Sequence, residues 1–125
     1  MKGSVNEQGQ ARIDLTIRSS PTSGEITISA WIDTAFNGEL VLPQTLIDQL
    51  GLTKSAEIGA GMADGIVRPL NVFSAWIPWF DEIKEVEVVA SAGQTVLLGI
   101  GLMLGHELRV NYRTLDVTLE CRLAM

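Results

Sequence analysis

From Arg12 to Arg18 the chain alternates Ile13, Leu15 and Ile17 with polar residues, the period of a half-buried strand. Glu25–Ile32 alternates in the same way through Ile26, Ile28, Ala30 and Ile32. Between the two runs, "SSPTSG" (19–24) has the residues of a turn, so together they predict a β-hairpin. "ELVL" (39–42) reads as a short strand. "PQTLIDQLGL" follows it, with Pro43 suited to a first helical turn, Leu46, Ile47 and Leu50 on one face, and Gly51 as the stop.

The segment 57–70, "EIGAGMADGIVRPL", carries Asp64-Gly65 at its middle, a strong hairpin-turn signal. Leu70–Phe80 is apolar on both alternating faces, as in a strand covered on both sides, and Pro78 places an edge or bulge near its end. "EVEVVAS" (85–91) and "TVLL" (95–98) read as strands, and "GLML" has room for only a turn or two of helix. "ELRVNY" and "LDVTLEC" flank Arg113-Thr114 as a last hairpin. About eight strands and one clear helix predict an all-β sandwich or barrel. The strand, small-residue turn and helix of 26–50 are echoed at 86–105, as in two half-domains of shared plan. Residues 1–10 are polar and are expected to form a loose N-terminal segment.

Composition narrows the function. The 125 residues suit a single domain, 1–125, with 46% hydrophobic and only 19% charged residues. A formal net charge of −6 argues against nucleic acid and against anionic membrane surfaces. The lone cysteine, Cys121, can form no internal disulfide and reads as a small packing residue in a strand. The opening lacks the apolar core of a signal peptide, and the longest apolar-plus-glycine run, Val96–Leu104, is too short to span a bilayer. The expectation is a cytoplasmic protein.

Several kinds of chemistry lack their residues. His106 is the only histidine and reads as an exposed surface residue; one His with one Cys does not make a zinc site, and no G-x-S-x-G elbow is present. "GAGMADG" (59–65) and "GIGLMLG" (99–105) both read G-x-G-x-x-x-G. Only the second follows a credible strand, and too little chain follows it for a nucleotide-binding fold. No metal and no cofactor are expected. What stands out is Asp33 in "ISAWIDTAFNGELVLP" (28–43), a carboxylate where the chain enters a core. Such a group must be hydrogen-bonded, paired or neutral. Its plain reading is a turn aspartate bonding its own backbone.

The flanks favour another reading. "WIDTAFNGELVLP" and, 66 residues beyond the acid, "VLLGIGLML" resemble the retropepsin-like (clan AA) aspartic proteases, especially the small bacterial members. "MADGIVRPL" between them is similar to that family's glycine-tipped flap. The resemblance covers roughly residues 10 to 121. It implies a closed acid-protease-like β barrel with one to two short helices, and a homodimer in which Asp33 of each chain forms a catalytic dyad that hydrolyses extended peptides. Thr34 would bond across the dimer, and the N–H of Ala35 would help hold the carboxylate. Gly38 would let the chain turn into "ELVL". Ala63, Asp64 and Gly65 would close over the peptide, and Leu98-Gly99 would pack beneath the catalytic loop.

Two departures qualify it. The family's glycine after D-T is here Ala35, tolerable at negative φ and strained at positive φ. Gly101 stands where many bacterial relatives carry an acid; that acid is not the catalytic one, so its loss is a matter of loop structure. The alternatives are a catalytically weak or silent dimeric peptide-binding module on the same scaffold, and a purely structural β domain. Trp31, Trp76 and Trp79 read as core or interface anchors, and "DEIKEVE" (81–87) as a solvated edge-strand face.

Overall fold

The first alternating run folds as strand β2, Ala11–Ser20, whose Ile13, Leu15 and Ile17 are almost wholly buried. Through Pro21 and Thr22 it turns back into β3, Ser23–Asp33, with pairing from Ser20↔Ser23 to Arg12↔Trp31. On the outer face the Thr16 and Thr27 hydroxyls share a 2.9 Å bond, and Arg18 Nε donates to Glu25 across 3.0 Å. Exposed cross-strand pairs of this kind contribute about 0.2–1 kcal/mol each. Each Ile or Leu buried beneath them contributes about 1.5–3 kcal/mol, so the inner face decides the register.

The computed structural model describes residues 1–61 and 67–121, with side chains described outside 56–70. Its remaining elements are β1 (Lys2–Val5), β4 (Leu40–Pro43), α1 (Gln44–Leu50), β5 (Thr53–Gly61), β6 (Val67–Trp79), β7 (Glu82–Ser91), β8 (Leu97–Gly99), α2 (Ile100–Met103), β9 (His106–Asn111) and β10 (Asp116–Cys121). Six strands in the order β2-β3-β8-β4-β7-β6 form a mixed barrel, closed where Arg18 meets Trp76. This is the all-β, acid-protease-like barrel with two short helices that the resemblance implied. Leu40, Leu42, Ile77, Val88 and Leu98 are fully buried within it. β5 lies on the outer side of β6, and β1, β10 and β9 continue the sheet beyond β2. No helix among the described residues is long and apolar enough to cross a membrane.

Helix α1 ends as its glycine predicts: Gly51 adopts φ 69° and its N–H bonds the carbonyls of Ile47 and Asp48. Pro78 lies beyond the last pairings of β6 with β5 and β2, where β6 is bonded on its β7 side alone. The acidic stretch is likewise half an edge, because β4 pairs β7 only from Val88 onward.

Two expectations change. Residues 1–10 do not form a loose segment: β1 pairs with both β2 and β10, Val5 is buried, and the terminal amino group of Met1 donates to the Leu119 carbonyl at 2.7 Å. A short strand with one apolar anchor is held by ladders on both sides, which periodicity along the chain cannot reveal. The described residues form ten strands rather than about eight; β5, "TKSAEIGAG", has no clean apolar alternation and is held by its pairing with β6.

The internal echo is a true pseudo-twofold. β3 runs parallel to β8 and β4 parallel to β7, while β4 and β8 cross antiparallel at the centre through Leu40↔Leu98 and Val41↔Leu97. A constant offset of 57 residues carries Trp31 to Val88, Asp33 to Ala90, Leu40 to Leu97 and Leu42 to Gly99, and it maps every one of these pairings except Pro43↔Ser91 onto another.

Candidate active site

Strand β3 delivers Asp33 to the barrel rim. Ala30 and Ile32 point into the core, and Asp33, half-buried, is the last residue of the strand, level with Gly99 on β8. Thr34 and Ala35 follow on the exposed surface. The Ala35 N–H donates to Asp33 Oδ1 at 2.9 Å, and the Phe36 N–H to the Asp33 carbonyl at 3.2 Å. The first of these is the carboxylate's one hydrogen bond among the described residues. It is an aspartate turn of the plain kind, and it leaves acceptor capacity on the carboxylate at the surface.

The loop is then tied to the start of α2. Gly99 N–H donates to Glu39 O at 2.9 Å, Ile100 N–H to Phe36 O at 2.8 Å, and Gly101 N–H to Gly38 O at 3.0 Å. Three backbone bonds at about 0.5–1.5 kcal/mol each hold this corner in one geometry. Leu98, fully buried, forms the floor beside it.

The glycines are explained by close approach. A Cβ at Gly99 would run into the Gly38 carbonyl oxygen and lie 2.5 Å from the Phe36 ring. At Gly38 it would lie 2.5 Å from Cζ of the same ring, so this glycine, whose φ is not positive, makes room for Phe36 and does not supply an unusual turn. At Gly101 it would lie 2.9 Å from the Gly38 oxygen and 3.1 Å from Cγ of Glu39, so a side chain in place of this glycine would meet the loop itself. Ala35 does not adopt positive φ, so the alanine keeps its N–H donor without backbone strain.

Asp33, Thr34, Ala35, Gly38, Leu98 and Gly99 therefore come together at one corner. Ala63, Asp64 and Gly65 lie outside the described residues; the strands on either side of them pair as far as Gly61↔Val67. Sequence reasoning missed the parts played by Phe36 and Glu39. The Glu39 carboxylate accepts the Glu87 N–H at 2.9 Å, anchoring the loop's end to the open edge of β7. For Phe36 the available signal was a glycine two residues after an aromatic.

His106 and Cys121 also depart from expectation. His106 is not a free surface histidine: Trp79 Nε1–H donates to its Nε2 at 3.2 Å, and its Nδ1 lies 2.8 Å from the Leu104 carbonyl oxygen. Because an indole N–H can only donate, Nε2 is the acceptor and Nδ1 carries the proton. Phe80, at φ 57° in the β6–β7 turn, packs beside it with ring centroids 4.9 Å apart. Cys121, in β10, is exposed rather than packed.

No protein-family model matches the chain, and no curated protein matches it in sequence. Among solved structures it is similar to a retropepsin-like aspartic protease from Rickettsia conorii, with a TM-score of 0.66 and 15% identity over 95% of this chain and 88% of that one. A retroviral protease-like domain of Ddi1 from Leishmania major aligns with a TM-score of 0.46 and 9% identity, over 91% of this chain and 98% of that domain. The first likeness shows a shared fold.

Proposed function

We propose, from a retropepsin-like fold that carries Asp33 at its rim, that this chain is a homodimeric aspartic endopeptidase acting on extended peptides. The observation that supports it most directly is the Asp33 carboxylate. It sits half-exposed at the end of β3, oriented by the Ala35 N–H and backed by a loop tied down at three points.

In this reading a two-fold axis brings a second Asp33 from an identical subunit, which is how one acid per chain becomes two. Two carboxylates at close quarters cannot both ionise, so the pair shares one proton. The ionised member takes a proton from a water held between them as that water attacks the peptide carbonyl. The protonated member gives its proton to the carbonyl oxygen. The resulting gem-diol collapses as its C–N bond breaks: the now-protonated carboxyl gives its proton to the leaving amine, and the now-ionised one takes a proton from a gem-diol hydroxyl. Thr34, exposed beside Asp33, would bond its counterpart across the axis. Ala63, Asp64 and Gly65 would cover a peptide lying strand-like over the site, with main-chain bonds for affinity and side-chain pockets for preference.

The unstrained backbone at Ala35 weakens the alternative of a silent binding module, because it removes the conformational reason for inactivity. The test is cleavage of a peptide library with and without pepstatin, alongside sedimentation. Wild type is expected to sediment as a dimer and to cleave in a pepstatin-sensitive manner, and Asp33→Asn to lose that cleavage while staying folded. Cleavage surviving in Asp33→Asn would overturn the assignment. Activity absent in wild type but restored in Ala35→Gly would favour the binding module.

A further inference from the structure

We propose that Phe36 is the positioning residue that holds Asp33 in its working orientation; this rests on the reading of Asp33 as the catalytic acid. One residue joins three parts of the corner. Its N–H bonds the Asp33 carbonyl, its own carbonyl accepts the Ile100 N–H, and its ring occupies the space left by the missing side chains of Gly38 and Gly99. Gly99 is the residue level with Asp33 on the neighbouring strand. The ring therefore wedges the loop that begins at Asp33 against the strand that flanks it. To swing the loop about the end of β3, the ring must first leave both glycines.

The pseudo-twofold supplies an internal control. Its 57-residue offset carries Phe36 to Gly93, Gly99 to Leu42 and Ile100 to Pro43. At that second corner there is no ring, a leucine fills the place of the accommodating glycine, and proline has no N–H to donate. A Cβ at Gly93 would meet nothing closer than Ser91 Oγ at 3.7 Å. The wedge and its bond to the helix start occur at the corner that carries the acid and not at the other. A device needed merely to complete the barrel would be expected at both.

The test compares backbone amides in the full chain by NMR, so it does not depend on peptide cleavage. In Phe36→Ala the Ile100 and Gly101 amides are expected to exchange at least about tenfold faster relative to those of β2, and the Ala35 amide resonance to move as its bond to Asp33 loosens. Phe36→Leu should restore part of this protection. Gly38→Ala, which displaces the ring from the opposite side, should loosen the same amides, and the effect should shrink in a Phe36→Leu background. Leu119→Ala, a buried change in β10, should instead speed exchange across the sheet without singling out this corner. Wild-type protection at Ala35, Ile100 and Gly101 in Phe36→Ala, or the same local pattern in Leu119→Ala, would overturn the proposal. With a cleavable peptide, Phe36→Ala should lower kcat about tenfold or more with KM nearly unchanged. A wild type that cleaves nothing would count against the catalytic reading of Asp33, while the amide comparison would still decide the role of Phe36.

Discussion

The two ends of the pseudo-twofold invite direct comparison. Each has a strand entering the rim, a loop, a short strand and a helix, with the same spacing from Asp33 to Leu40 as from Ala90 to Leu97. At the first corner the loop is pulled down onto α2 by three backbone bonds and a wedged phenylalanine. At the second, Gly93 N–H bonds only Ser91 Oγ, at 3.0 Å, and buried Leu42 stands where the first corner requires Gly99. The shared plan builds the barrel. The differences are concentrated around a single carboxylate, that of Asp33.

The largest expected contrast between the corners is catalytic. Asp33→Asn should reduce pepstatin-sensitive cleavage by at least about a thousandfold, since it removes both the base and the shared proton. Ala90→Ser, the matching change at the other corner, should leave kcat/KM within about threefold. Equal losses would mean that the second corner contributes to the reaction.

Stability should next show that Gly99 and its counterpart are both constrained, for different reasons. Gly99→Ala drives a methyl into the Gly38 carbonyl and should cost about 2–4 kcal/mol in urea unfolding. Leu42→Ala empties a fully buried site and should cost a similar 2–5 kcal/mol for the opposite reason. A neutral Gly99→Ala would show that the loop is free to retreat from β8. Gly101→Ala, whose methyl would meet the Gly38 oxygen at 2.9 Å, should cost about 1–3 kcal/mol by the same measurement.

The smallest effect has the other sign. Gly93→Ala makes only an ordinary 3.7 Å contact with Ser91 Oγ at a φ that is not positive, so it should stabilise by about 0.4–1 kcal/mol through the unfolded chain. A loss of stability there would reveal a constraint on the second loop that its contacts do not show.

How much of this could be read beforehand follows from which interactions act along the chain. The β2–β3 hairpin, α1 with its Gly51 stop, and the β9–β10 hairpin carry their signals within a few residues, and all were legible. The position of Asp33 between two apolar runs was legible too; the parallel pairing of its strand with "VLLG" was not, since the resemblance implied only that Leu98-Gly99 would pack beneath the loop. β1 was not, because one valine and two long-range ladders leave no periodic trace in "MKGSVNEQ". The bond between Trp79 and His106 joins residues 27 apart, and the wedge of Phe36 on Gly99 joins two elements that meet only in the folded barrel. Contacts of that kind leave behind small residues such as Gly38, Gly99 and Gly101, whose purpose emerges only when the neighbour arrives.

Leu42 has one more consequence. An aspartate transplanted to position 90 would stand near the end of β7, before a loop that has no aromatic wedge at the position matching Phe36, with a leucine flank and a proline unable to offer a donor. The barrel thus has the fittings for one acid and not for two. Any single-chain version of a two-acid enzyme built on it would need its second half rewritten.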